Sequence, residues 1–81
     1  MGTVNILKLK AKLTELGLNT TKLGEMIGYD RSSMYRRFAN NGAALTIDDA
    51  NKIIKALRLT AEEAVSIFFG QLVPKFETRE V

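Results

Sequence analysis

The sequence predicts an all-α domain, and three observations carry that prediction. Apolar residues recur at helical spacing, as in Ile6, Leu9, Leu13 and Leu16, and again in Ile47, Ala50, Ile53, Ile54 and Leu57. Each periodic stretch starts at a side chain suited to capping free N–H groups: Asn5, Asn19, Asp30, Thr46 or Thr60. Turn chemistry, at Gly17, Gly28 and Asn40-Asn41-Gly42, falls between the stretches. Five helices are expected near 5–16, 20–27, 31–39, 47–57 and 61–69, with ends set to about 2–4 residues and no sheet in the body.

The first helix is capped by Asn5, with Val4 and Leu9 placed for a hydrophobic staple, and Gly17 stops it. Its Lys8, Lys10 and Lys12 read first as a solvated face, with phosphate contact as the alternative. In the second helix Leu23 and Ile27, four apart, form the apolar stripe. Gly24 interrupts that short helix at a cost of about 1 kcal/mol, so close packing of the next helix is its expected reason. Gly28 suits a left-handed helix end, after which Tyr29 turns inward and Asp30 caps the third helix.

The third helix anchors itself through Met34 and Phe38. With that line inward, Ser32 and Arg36 point away from the core, Tyr35 and Arg37 flank on opposite sides, and Arg31 stands at the tip. No acid occurs between Asp30 and Asp48, and the planar fork of Arg suits guanine edges and phosphates. Two short helices, a Gly-centred turn and an Arg-rich second helix form the layout of a DNA-reading helix-turn-helix. Helix 31–39 is then expected in the major groove, with Arg31, Ser32, Tyr35 and Arg36 meeting base edges. Thr20, Thr21, Lys22, Ser33, Arg37, Asn40 and Asn41 are the expected backbone contacts, and the two Asn residues serve equally as a plain connector.

The fourth helix begins with a capping box, Thr46 with Asp49. Asp48 and Asp49 in a first turn serve the helix dipole and the cap, not paired-carboxylate catalysis. Thr60 and Glu63 repeat the device, and Val65, Phe68, Phe69 and Leu72 are expected on the inner face of the fifth helix. Beyond Gly70 the segment QLVPKFETREV changes character: Pro74 breaks any helix, while Leu72, Val73 and Phe76 are too apolar for an ordinary disordered end. The expected division is therefore a helix-turn-helix domain over 1–70 and a tail over 71–81. That tail either folds back or serves as a dimerisation arm.

The segment Leu7 to Phe69, about three quarters of the chain, resembles the lambda repressor-like, Cro-type helix-turn-helix family of phage regulators. It is similar in particular to small regulators from phages of low-GC Gram-positive bacteria. The resemblance rests on Leu23-Gly24-Glu25-Met26-Ile27-Gly28, on Asp30 to Arg36, on Ala39-Asn40-Asn41-Gly42, and on Leu59 to Glu63 before Ile67-Phe68-Phe69. It implies a five-helix lambda repressor-like fold, a double-stranded DNA operator, and a homodimer at least when bound to DNA. One departure stands out. The family often carries an apolar residue three after the Met34 position, where this chain has Arg37, and Phe38 is expected to take over the anchoring.

Composition narrows the remaining classes. With 81 residues the chain makes one small domain. It has no Cys and no His, which removes disulfides, thiolate metal sites and the usual general base. No cofactor, small-molecule ligand or membrane span is expected, and neither a signal peptide nor a myristoylation signal is read at the start, so the expected location is the cytoplasm. The net charge of +3 is unevenly spread: seven cations face three acids up to Leu45, and five face six from Thr46 onward. Counterion-driven DNA binding needs such asymmetry. The competing reading is a protein-binding module of the same fold, an antitoxin or a modulator of another repressor. An enzyme is a distant third, since no nucleophile–base pair or phosphate loop is present.

Overall fold

The computed structural model describes residues 4–70 and contains five helices, with no strand among those residues. They are α1 (Ile6–Glu15), α2 (Thr20–Ile27), α3 (Arg31–Gly42), α4 (Ile47–Leu57) and α5 (Ala61–Ala64), which runs straight into a π-helical turn (Val65–Phe69). The expected tail arm over 71–81, and Leu72 with it, lie outside the described residues.

Local chemistry sets the helix ends. Asn5, Asn19 and Asp30 each accept the N–H three residues ahead, at 3.0, 2.8 and 2.8 Å. Thr46 with Asp49 and Thr60 with Glu63 form complete capping boxes. Gly17 at φ 75° closes α1: its own N–H reaches the Thr14 carbonyl while Leu18 N–H reaches that of Leu13. Leu18 thereby packs on the core and Leu16, expected in the stripe, stays exposed.

Helix α3 is regular only as far as Phe38. Ala39 is extended, and Asn40 and Asn41 are left-handed at φ 53° and 56°, conformations that Asn tolerates better than most residues.

The core collects Leu9 and Leu13 of α1, Leu23 of α2, Met34 and Phe38 of α3, Ile53 and Leu57 of α4, and Ile67 and Phe68 of the π turn. Besides Leu16, two expected inner-face residues fall outside it. Ile47 is exposed, because at helical periodicity it lies about 120° from Ile53. Val65 is exposed because the wider π turn carries it away from Phe68, and Ile67 takes the inward place.

Helix α2 packs on both α3 and α4, and Gly24 sets its distance from α3. A Cβ at Gly24 would lie 2.5 Å from Met34 Cγ and 2.8 Å from the Tyr29 carbonyl oxygen, and the second of these atoms is backbone that does not yield. Gly24→Ala is accordingly expected to destabilise the protein by about 1–3 kcal/mol despite the better helix propensity of Ala. Urea unfolding of the variant checks this, and an unchanged midpoint would refute it.

Candidate nucleic-acid interface

The turn from Gly28 to Asp30 delivers α3 to the surface with one face buried and one bare. Gly28 is left-handed at φ 89°, and Tyr29 N–H closes the turn on the Gly24 carbonyl at 2.8 Å. Met34 and Phe38 then point into the core, and Arg31, Ser32, Tyr35 and Arg36 are all exposed together. The four side chains expected to meet bases therefore share one surface. Among the described residues no ion pair engages Arg36.

Arg31 and Tyr35, one turn apart, form a unit. The guanidinium sits 5.5 Å from the ring centroid, and its Nη2 donates to the Tyr35 hydroxyl at 3.4 Å. That hydrogen bond, with the positive charge of Arg31, lowers the Tyr35 pKa from its ordinary value, and the same hydrogen bond raises that of Arg31. Arg31 and Tyr35 also line a groove of about 490 Å³ with Thr20, Thr21 and Lys10, where α1 meets the first turns of α2 and α3. Of the three α1 lysines, Lys8 donates to Ser66 and Lys12 to Glu63, so Lys10 alone joins this surface.

The other expected backbone contacts are scattered. Lys22 is exposed and pairs with Glu25 at 3.5 Å. Ser33 is half-buried, its N–H held by Asp30. Hydrogen bonds from Ser33, its backbone N–H first, also lower the Asp30 pKa. Asn40 and Asn41 are exposed at the far end of α3 and line a different groove with Val4, Ile6 and Leu7.

Arg37 departs most from expectation. The flanking side chain expected to meet a phosphate is turned inward instead, its Nε donating to Asp49 Oδ2 at 3.0 Å. Its guanidinium stacks 4.1 Å from the Tyr29 ring centroid, and Nη1 reaches the Ser33 carbonyl at 3.4 Å. Asp49 is almost fully buried and also accepts from the Tyr29 hydroxyl and from Thr46 N–H. Burial by itself would raise the Asp49 pKa, but the hydrogen bonds from Tyr29, Thr46 and Arg37 outweigh it and hold the carboxyl below its ordinary value. Phe38 is buried as the expected anchor, and at the position three after Met34 the protein places a neutralised ion pair between α3 and α4. The legible signal was Asp49 itself, an acid in step with Ile53 and Leu57 along the buried stripe.

Among the described residues no three His, Cys, Asp or Glu side chains gather to hold a metal ion, and no helix is long and apolar enough to cross a membrane. Comparison with protein-family models, with curated proteins and with solved structures finds no match.

Proposed function

We propose that this chain is a sequence-specific DNA-binding transcriptional regulator of the lambda repressor-like, Cro-type class, a phage or prophage repressor that occludes a promoter by placing α3 in the major groove. The observation that carries this reading is the bare face of Arg31, Ser32, Tyr35 and Arg36 on a helix fixed from behind by Met34, Phe38 and the Arg37–Asp49 pair. A helix held so firmly on one side presents its other side at low entropic cost. Thr20, Thr21 and Lys10, grouped with Arg31 around one groove, supply donors for the adjoining phosphates. Binding as a homodimer to a two-fold operator would double these contacts.

Arg36 is the side chain with the greatest expected effect on sequence reading, since it points most directly away from the core. Arg36→Ala should weaken binding to selected operator DNA by about 1–3 kcal/mol and relax discrimination at one base pair. Arg37→Ala is the contrasting variant. With Nε committed to Asp49, its loss should lower fold stability while leaving the salt slope of the folded fraction nearly unchanged. A phosphate contact would instead reduce that slope by about one. Selection of bound fragments from genomic DNA, followed by titrations across a salt series, measures all of this. Operator affinity untouched by Arg36→Ala and Arg31→Ala would remove α3 as the reading element and favour a protein-binding module.

A further inference from the structure

On the opposite side of α2 a second surface has a different chemistry. Met26 is 48 % exposed, and with Ile27 and with Lys52, Lys55 and Ala56 of α4 it lines a groove of about 390 Å³. The lining is mostly apolar, and the lysine stems add to it. No acid lines the groove. Lys52 shares its charge with Asp48 at 3.5 Å and with the Tyr29 hydroxyl at 3.4 Å, but Lys55 has no ion pair among the described residues. Isolated exposed apolar side chains are ordinary, whereas an apolar lining that carries Lys55 without an ion pair and no acid of its own specifies a complement. Met is the apolar side chain best able to adapt to a partner surface.

The groove also faces away from the candidate DNA interface. Gly24 is the α2 residue against which Met34 of α3 packs, and Met26 lies about 200° round the helix from it. Met26 thus stands on the side of α2 turned away from Met34.

We propose that the α2–α4 groove docks an acidic amphipathic segment of a partner protein, its apolar side chains against Met26, Ile27 and Ala56 and its carboxylates against Lys52 and Lys55. The docking itself stands without the DNA reading; only its use while the protein sits on DNA rests on that reading.

The test uses the isotope-labelled full chain and two synthetic amphipathic helices. One carries Leu at i and i+4 flanked by Glu, and the other replaces every Glu with Lys. The acidic peptide should shift the amide resonances of Met26, Ile27, Lys52, Lys55 and Ala56 and leave those of α3 in place. Met26→Glu and Lys55→Glu should each weaken it by roughly tenfold or more, Met26→Leu should retain it, and Arg36→Ala should not alter it. Equal binding of the Lys peptide would overturn the proposal, as would shifts centred on α3. It would also fall if the protein alone proved dimeric and Met26→Glu made it monomeric, since the face would then belong to a second copy. Loss of operator binding by Arg36→Ala bears on the DNA reading alone.

Discussion

Asp49→Ala is expected to lower the unfolding free energy by about 3 kcal/mol. Removing one partner of a buried ion pair costs about 3–5 kcal/mol because the other charge is left uncompensated. The lower end applies here, since the Arg37 side chain keeps 21 % of its surface exposed and can turn toward water. The same substitution strips the Tyr29 hydroxyl of its acceptor and opens the capping box of α4. Domains of this size hold only about 5 kcal/mol in reserve, so the variant should be measurably unfolded in mild urea. The pH dependence provides a second readout. The folded-state pKa of Asp49 is depressed, so its stabilisation is complete above the unfolded value, about pH 4, and is lost as pH falls through the lower folded value. Glu63 and Asp30 are depressed in the same direction, so some acid sensitivity should remain in the variant. Urea midpoints from pH 2 to 7 should therefore fall less steeply in acid for Asp49→Ala than for the parent. Parallel curves would show that the buried carboxylate contributes nothing.

Phe68→Ala should cost about 3–5 kcal/mol, the range for emptying a fully buried aromatic site. Phe68 has 0 % exposure and sits in the π turn that packs on α1. That turn is held at its edge by Asn5 N–H, which donates to the Ile67 carbonyl at 2.7 Å, so the core has little freedom to collapse into the space. Phe68→Leu keeps most of the volume and should lose less than Phe68→Ala. Denaturant unfolding of both variants gives the comparison. Equal losses would mean that the ring's shape, not its burial, is what the site requires.

The helices were legible in the sequence because each is specified locally. Asn5, Asn19, Asp30, Thr46 and Thr60 cap where their chemistry says they should, and Gly24 marks the close approach of α3. The outward face of α3 was legible for the same reason: Met34 and Phe38 fix its rotation, and periodicity places Ser32 and Arg36 opposite. What periodicity did not reveal was a pairing across elements. Arg37 looks like a flanking side chain free to meet a phosphate until Asp49, twelve residues on, is seen at the base of α4. The π turn was likewise invisible, because its widening leaves no mark in the spacing of Val65, Ile67 and Phe68. Lys10 was indistinguishable from Lys8 and Lys12 until Ser66 and Glu63 were brought alongside α1.

The hydrogen bond from Asn5 to Ile67, with its neighbour from Val4 N–H to the Asn41 carbonyl, also gives the domain a topology with consequences for its birth. Asn5, near the beginning of the described residues, is fastened to Ile67 near their end, and Val4 to Asn41 in their middle, so the described domain is closed like a ring. A ribosome delivers the donor well before the acceptor. Until Ile67 emerges, α1 carries its Leu9 and Leu13 with no finished core to receive them. Closing so long a loop adds only slowly to the entropic cost, so the arrangement registers more in the timing of folding than in its equilibrium.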